Sequence, residues 1–237
     1  MQRYFASIDK DSFVHLSQDD EHHVLHVMRM KKGDEIEVVD NQKLFLCRLD
    51  DTNPLTVSVV HEIASDVELS EDVTLLFALT KGDKIDLVLQ KATELGVKKV
   101  ALIQSERSVV KYDNKDIEKK SQRFVKIMKE ASEQSHRLLI PEIVGLVDIK
   151  NIPTSLLADT NLLAYEKEAG MTTGFFDKVN NQSLSVMIGP EGGFSEAEVE
   201  LLKNEYNFLP ISLGKRILRT ETAAIYALSV IGFLLER

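Results

Sequence analysis

The spacing of apolar residues before residue 68 is typical of short, half-buried strands. Apolar and polar side chains alternate with a period of two through "EIEVVD" (35–40), "LFLCRL" (44–49) and "LTVSVVHEI" (55–63). Glycine, asparagine and proline between these stretches supply turns. One helix is predicted from Ser17, with Val24, Leu25 and Met28 on its apolar face. The pattern predicts a small β-barrel over residues 1–68.

After residue 68, continuous apolar runs alternate with stretches of helical spacing. The strand candidates are "VTLLFAL" (73–79), "KKVALIQ" (98–104), "NLLAYE" (161–166), "LSVMIG" (184–189) and "LPISLG" (209–214). Helices are predicted over "KGDKIDLVLQKATELG" (81–96), over 114–134, from Ser195, and in the C-terminal stretch 221–236. This alternation predicts an α/β fold over residues 69–237, with a parallel sheet covered by helices on both faces. Ligands of such sheets bind beyond the carboxyl ends of the strands.

Composition narrows the class of protein. With 237 residues, 43% hydrophobic and 28% charged, the chain has the composition of a soluble globular protein. No apolar run approaches the roughly 18 residues of a membrane span, and "MQRYFASIDK" lacks the apolar core of a signal peptide. We therefore expect a cytoplasmic protein without a membrane partner. We expect no metal either, because Cys47 is the only cysteine and the neighbouring His22 and His26 have no evident third ligand.

The charge is unevenly distributed. The formal net charge is −9, and residues 1–68 carry 7 lysine and arginine residues against 14 aspartate and glutamate residues. Residues 81–150 have the opposite balance, with 15 basic against 11 acidic side chains. This basic band could follow a phosphate backbone despite the negative total, although charge alone favours a solvated helix face.

Two glycine-containing junctions follow predicted strands. In "IGPEGGFSEAE" (188–198), three glycines let the backbone approach a ligand closely, and Ser195 with Glu198 forms a capping box for the next helix. In "LGKRILRTETAA" (213–224), charged residues of both signs stand between a strand and a very apolar helix. Charged side chains beside a buried helix lose hydration, so they need partners that compensate for this loss. A functional site is therefore the favoured interpretation of this junction. The first of these loops has the spacing of neither a P-loop nor a dinucleotide fingerprint.

Four stretches of the chain resemble the RsmE family, the ribosomal RNA small subunit methyltransferase E enzymes of the SPOUT class. They are the two junctions above, "KGDKIDLVLQKATELGV" (81–97) and "EASEQSHR" (130–137). The resemblance implies S-adenosylmethionine as cofactor, an N-terminal PUA-like barrel, a trefoil-knotted C-terminal domain and a homodimer. It also implies methylation of N3 of uridine 1498 in the 16S rRNA of the small ribosomal subunit. One departure is the turn Asp40-Asn41-Gln42, where the family commonly has Asp-Gly; asparagine tolerates the same left-handed turn.

The implied chemistry assigns roles to residues. Arg219 is the candidate for stabilising the uracil anion, and Glu221 or Glu191 for accepting the N3 proton, unless Glu221 only orients Arg219 in an ion pair. The expected cofactor-binding residues are Ile188, Gly189, Pro190, Glu191, Gly192, Gly193, Leu213, Gly214, Ile217, Leu218, Arg219 and Thr220. The expected RNA-binding residues are Arg3, Arg29, Lys81, Lys84, Lys91, Arg107, Gln134 and Arg137, with capping of a helix end as the alternative role for Gln134 and His136.

Two other functions compete with this interpretation. One is a SPOUT methyltransferase that acts on tRNA or on a ribose 2′-hydroxyl, although the sequence Arg219-Thr220-Glu221-Thr222 lacks the asparagine and serine typical of ribose methylases at this junction. The other is a PUA-like RNA-binding assembly factor without enzymatic activity, whose α/β domain serves only for dimerisation.

Overall fold

The fold consists of two compact units. The computed structural model describes residues 1–80, 84–167 and 182–236. The first unit comprises Met1–Glu68 and Ser132–Leu139, and the second comprises Leu69–Ala131 and Ile140–Arg237. The first unit therefore includes a short segment from the middle of the chain as well as the expected residues 1–68.

A four-stranded sheet forms most of the first unit. Its strands, in the order β1-β4-β5-β6, are β1 (Arg3–Phe5), β4 (Glu35–Asp40), β5 (Lys43–Thr52) and β6 (Leu55–Ile63). β1 pairs with β4 in parallel, and the other pairs are antiparallel. A two-stranded sheet of β2 (Ser7–Ile8) and β3 (Val14–His15) completes the unit. Cys47 lies fully buried in its core, as expected for a small apolar side chain.

The helix of the first unit differs from its predicted pattern. Ser17 caps α1 (Gln18–His22) through a hydrogen bond from the backbone N–H of Asp20, as predicted. A π-helical turn, His23–Val27, follows directly, and the N–H of Met28 bonds to the carbonyl of His23. The wider turn rotates the later residues away from the core. Val24 is fully buried, but Met28 is 40% exposed, so its predicted place on the apolar face is wrong.

The turn between β4 and β5 confirms the expectation for asparagine. Asn41 and Gln42 both have positive φ angles, 48° and 62°. This is the conformation required by a tight two-residue hairpin loop, and it explains why a non-glycine pair is tolerated.

The second unit contains a six-stranded, wholly parallel sheet in the order β12-β10-β11-β7-β8-β9. The strands are β7 (Val73–Ala78), β8 (Lys99–Gln104), β9 (Glu142–Asp148), β10 (Thr160–Ala164), β11 (Leu184–Ile188) and β12 (Phe208–Ile211). The helices are α2 (Lys84–Glu94), α3 (Asn114–Gln134), α4 (Glu196–Tyr206) and α5 (Thr220–Leu235), with a 3₁₀ turn at Thr154–Leu156. Only β9 was not among the strands predicted for this unit.

Apolar cores cover both faces of this sheet, which confirms the predicted layering. Leu75 and Phe77 of β7 point to a core shared with α2, α3 and α5, whereas Leu76 between them belongs to the core shared with α4. Gly96 ends the α2 segment with a φ of 87°, in the position expected for a helix-terminating glycine. In the described part of the chain, no helix is both long and apolar enough to cross a membrane.

Candidate cofactor and active site

Loops that follow three neighbouring strands border one cavity of about 310 Å³. The strands are β10, β11 and β12, which lie side by side in the sheet, so their carboxyl ends meet at one edge. This is the position where parallel α/β sheets bind ligands. The lining residues are 164–166, 188–194, 212–218, Thr220 and Ala223.

The cavity brings together nearly all the residues that the sequence assigns to the cofactor. Both glycine junctions line it, from Ile188 to Gly193 and from Leu213 to Leu218, and Thr220 joins them. Arg219 is not among the lining residues; it precedes α5 as its N-cap residue and its side chain is exposed. Tyr165 and Glu166 also line the cavity and were missed, although the polar end of "NLLAYE" marks the loop after a buried strand.

The first junction is a tight turn with little room for side chains. Gly193 has a φ of 65°, and its N–H bonds to the carbonyl of Pro190 at 2.9 Å. A Cβ added at Gly189 would lie 2.9 Å from the Phe194 ring. A side chain at Gly189 would therefore displace the buried Phe194 that anchors the loop.

The capping box predicted at Ser195 and Glu198 is present, and it has a wider role. Glu198 Oε2 accepts from the N–H of Ser195 at 2.9 Å, while Ser195 Oγ accepts from the N–H of Glu198 at 3.2 Å. Glu198 Oε1 accepts a third hydrogen bond from the N–H of Glu106, in the loop after β8. The buried carboxylate therefore ties two loops of the sheet edge together.

Arg107 lies against the first junction. Its Nη1 donates to the carbonyl oxygens of Gly192 and Phe194, each at 3.3 Å. A Cβ added at Gly192 would approach the Arg107 Cβ to 3.1 Å. The side chain expected to contact phosphate thus also holds the glycine loop in place, and the phosphate contact itself stays a prediction.

The second junction is held by backbone conformation. Gly214 has a φ of 116°, which L-residues rarely adopt, and no atom lies within 4 Å of an added Cβ. Ser212 Oγ accepts a hydrogen bond from the N–H of Gly214 at 3.3 Å. Ile217 lines the cavity with 90% of its surface exposed. An exposed isoleucine at a cavity mouth offers an apolar contact to a ligand.

Both candidate proton acceptors contact one lysine. Lys84 Nζ lies 3.0 Å from Glu191 Oε1 and 3.4 Å from Glu221 Oε2. The hydrogen bond to Glu191, followed by the charges of Glu191 and Glu221, raises the pKa of Lys84 above its usual value. Glu221 therefore pairs with Lys84; among the described residues no ion pair joins it to Arg219, the alternative role considered for it.

The remaining RNA-binding candidates have different surroundings. The guanidinium groups of Arg3 and Arg137 are buried, and they pair with Glu37 and Glu68 within the first unit. Burial favours a structural role for both, in place of the expected phosphate contact. Lys91 pairs with Glu94 at 2.9 Å. Arg29 and Gln134 are exposed, and Lys81 lies outside the described residues.

The segment Ser132–Leu139 contains the C-terminal end of α3 and the turn after it. His136 has a φ of 60°, its N–H bonds to the carbonyl of Glu133, and its own carbonyl accepts a hydrogen bond from Arg3. This is the geometry of a helix-terminating residue, which was the alternative role considered for His136. A His136 contact to a base stays a prediction.

No metal site is apparent in the described ranges. They hold no group of three or more histidine, cysteine, aspartate or glutamate side chains arranged to bind an ion. His22 and His26 have ring centroids 4.8 Å apart, as expected for residues one helical turn apart.

Comparison with family models gives two matches in this chain. Residues 67–232 match a family described as an RNA methyltransferase domain. Residues 16–60 match an RNA methyltransferase PUA domain, which agrees with the expected PUA-like fold of the first unit. Together the two matches cover most of both units.

Solved structures with the same fold include two complexes with S-adenosylmethionine. A methyltransferase from Legionella pneumophila, solved with bound S-adenosylmethionine, superposes with a TM-score of 0.87 at 30% identity over 98% of this chain and 96% of that one. Ribosomal RNA small subunit methyltransferase E from Neisseria gonorrhoeae, also bound to S-adenosylmethionine, gives a TM-score of 0.84 at 27% identity over 99% and 98% of the two chains.

Curated relatives match over the whole length. Ribosomal RNA small subunit methyltransferase E from Bacillus subtilis is 37% identical, with 100% of this chain and 98% of the relative aligned. The protein of the same name from Rickettsia conorii is 32% identical over 97% and 93% of the two chains. The chain belongs to the ribosomal RNA small subunit methyltransferase E family.

Proposed function

We propose that this protein transfers a methyl group from S-adenosylmethionine to N3 of uridine 1498 in the 16S rRNA of the small ribosomal subunit. The observation that supports this most is the cavity built from both glycine junctions, because it presents backbone to a ligand at the carboxyl ends of parallel strands. Membership of the family supports the same reaction. A small-subunit rRNA substrate would place the enzyme in the cytoplasm.

The residues around the cavity fit such a cofactor. The apolar side chains of Ile188, Leu213 and Ile217 suit the adenine ring, and Glu166 and Glu191 bring negative charge to the same cavity as Lys215 and Arg216. The carboxylates complement the positively charged sulfur and amino group, and the basic side chains complement the carboxylate of the methionine part. We propose that the chain around these loops forms the trefoil knot typical of the SPOUT class.

The chemistry requires removal of the N3 proton and alignment of the resulting lone pair. S-adenosylmethionine, when bound, supplies a methyl group whose bonding electrons stay with the sulfur. The N3 proton passes to a carboxylate oxygen of Glu191 or Glu221, and Arg219 balances the charge that develops on the uracil carbonyl oxygens. Alignment of the reacting groups contributes about 7 to 11 kcal/mol in well-oriented systems.

RNA binding is assigned to polar residues of both units. Arg29 and Gln134 are exposed in the first unit, and Lys81, Lys91 and Arg107 belong to the basic band of the second. Phosphate contacts by such residues give affinity that falls with salt. Arg3 and Arg137 contribute indirectly, by fixing the Ser132–Leu139 segment within the first unit.

A homodimer through α5 is part of the proposal. Thr222, Tyr226, Ser229 and Phe233 are the exposed residues along this helix, and their spacing places them on one face. Tyr226 is 46% exposed and Phe233 61% exposed. Two large aromatic side chains on one exposed helix face are typical of an interface core.

Nucleoside mass spectrometry of 16S rRNA tests the function. A strain that lacks this gene should lose N3-methyluridine at position 1498, and purified protein with S-adenosylmethionine should restore it on isolated small subunits. Loss of a 2′-O-methylated nucleoside, or of a tRNA modification, would instead support the alternative methyltransferase. An absence of heat on titration with S-adenosylmethionine would support the non-enzymatic assembly factor.

A further inference from the structure

Lys84 occupies a position between two carboxylates that come from different parts of the second unit. Lys84 is the first residue of α2, Glu191 lies in the loop after β11, and Glu221 lies in the first turn of α5. The Nζ distances are 3.0 Å to Glu191 Oε1 and 3.4 Å to Glu221 Oε2, so a single ammonium group holds the two oxygens close together.

The three side chains are partly withdrawn from water. Their exposed fractions are 30% for Lys84, 34% for Glu191 and 15% for Glu221. Glu221 Oε2 is fully buried and accepts no hydrogen bond from the described residues, so the Lys84 ammonium is the charge that compensates its desolvation. Two carboxylates that face one site without a cation between them favour sharing a proton.

A phosphate contact by Lys84 is difficult to reconcile with this geometry. To reach a phosphate, the ammonium would have to leave both carboxylates, and the buried Glu221 Oε2 would lose the cation that compensates its desolvation.

We propose that Lys84 is a positioning residue of the methyl-transfer site, which holds Glu191 and Glu221 in place and keeps both ionised so that one of them can accept the N3 proton. This inference rests on the proposed function. It gives Lys84 a role in the methyl-transfer reaction instead of a contact with the phosphate backbone of the RNA. Among the described residues, the charged groups facing the ammonium are Glu191 and Glu221. The Arg107 guanidinium contacts the loop that carries Glu191, because it donates to the carbonyl oxygens of Gly192 and Phe194.

The test compares Lys84→Met, which keeps an unbranched side chain but removes the ammonium group, with Lys84→Arg, which keeps the charge. Lys98→Met is the matched control, because Lys98 forms a similar ion pair with Asp72 at 2.7 Å in the same unit. The first measurement is a ¹³C NMR titration of the glutamate carboxyl groups in the free protein, with Glu191→Gln and Glu221→Gln used for assignment. In Lys84→Met, the pair should take up its first proton at a higher pH, and Lys84→Arg should restore the wild-type titration.

The second measurement is the pH dependence of single-turnover methylation at saturating RNA. At about pH 6, Lys84→Met should be at least about ten-fold slower than wild type, and the deficit should shrink at alkaline pH, whereas Lys84→Arg should lose little. Lys98→Met should follow the wild-type profile. Two outcomes would overturn the proposal: an unchanged titration of the carboxyl groups in Lys84→Met, or a defect of this variant that is confined to salt-dependent RNA affinity. Either outcome would instead support a contact between Lys84 and an RNA phosphate.

The two measurements separate this inference from the proposed function. If wild-type protein methylates no RNA, the proposed function fails, but the NMR titration still reports whether Lys84 keeps the two carboxylates ionised. If wild type is active and the carboxyl titration does not respond to Lys84→Met, only the role of Lys84 fails.

Discussion

Glu198 Oε1 accepts a 2.7 Å hydrogen bond from the backbone N–H of Glu106, although the two residues are 92 positions apart. The same carboxylate caps α4 through Ser195. One buried side chain therefore fixes both the loop that carries Arg107 and the start of the helix after the first glycine junction. The capping motif alone predicts only that Glu198 stabilises the start of α4. The structure shows that the same carboxylate also fixes a second loop at this edge of the sheet.

Replacement of Glu198 should destabilise the second unit. Glu198→Ala leaves the N–H groups of Glu106 and Ser195 without their acceptor, which should cost about 1–3 kcal/mol for each group that stays buried. Glu198→Gln should cost less, because its single amide oxygen can still accept. Urea unfolding gives the free energies, and Glu200→Ala on the exposed side of α4 serves as control. Equal stability of Glu198→Ala and Glu200→Ala would contradict this role.

Gly214→Val should abolish binding of S-adenosylmethionine. A φ of 116° is strained for valine, at a cost of about 1–3 kcal/mol, and relaxation would reshape the second junction. Gly33→Val is the control, because Gly33 has a φ of 93° and equally open surroundings in the first unit. Calorimetry should show wild-type affinity for Gly33→Val. A folded Gly214→Val protein with unchanged affinity would show that the cofactor binds elsewhere.

Arg219→Ala should slow the chemical step with little effect on cofactor affinity, since Arg219 is exposed and is not among the residues that line the cavity. The rate of methyl transfer should fall more than ten-fold, which corresponds to a rise of more than about 1.4 kcal/mol in the activation free energy. Arg219→Lys should recover part of it, because an ammonium cannot reproduce a planar guanidinium. Single-turnover methylation at saturating small subunits measures this, with Arg48→Ala as control. A loss of RNA affinity alone would make Arg219 a phosphate contact.

Tyr4 should make the first unit sensitive to alkaline pH. Burial, with smaller contributions from the charges of Asp20 and Glu133, raises the pKa of Tyr4 to about 12. The unfolded chain releases this proton near a pKa of about 10, so the free energy of unfolding should fall as the pH rises from about 10 to 12. Below pH 10 this contribution is fully present. Urea unfolding across this range should show a smaller decline for Tyr4→Phe; identical slopes would contradict the prediction.

Phe233→Glu should convert the proposed dimer into a monomer. A carboxylate on the exposed face of α5 would be buried without a partner in the interface, at a cost large enough to dissociate it. Light scattering at micromolar concentration measures the molar mass. Val60→Glu, at a position 42% exposed in the first unit, should leave the molar mass unchanged. A dimer in both variants would place the interface elsewhere.

The sequence predicted the elements that carry strong periodicity. α3 spans Asn114–Gln134 as predicted, and the buried runs became β7, β8, β10, β11 and β12. β9 (Glu142–Asp148) was missed because Gly145 interrupts its apolar pattern, and an edge strand has a weaker apolar signal. The π-helical turn was missed because one inserted residue changes which side chains share a face, while the local composition remains that of a helix.

Ion pairs between residues that are far apart in the sequence explain why other residues have roles that differ from the predicted ones. Local spacing places Lys84 on α2, yet its partner Glu191 lies 107 residues further along the chain. Arg137 likewise meets Glu68 across 69 residues. Sequence patterns report which residues share a face of one helix or strand, and contacts of this kind depend on how the elements pack together.

The inclusion of Ser132–Leu139 in the first unit has a topological consequence. The chain passes from the first unit to the second after Glu68, returns after Ala131 and leaves again after Leu139. After proteolysis near residue 68, only the Ser132–Leu139 segment of the first unit would stay covalently joined to the second unit, through the connections on its two sides. A fragment ending at Glu68 would also lack the Arg137 guanidinium that neutralises this glutamate and the Leu138 side chain that packs on Val39 and Leu44. The first unit consequently cannot be exchanged between proteins as a simple N-terminal module.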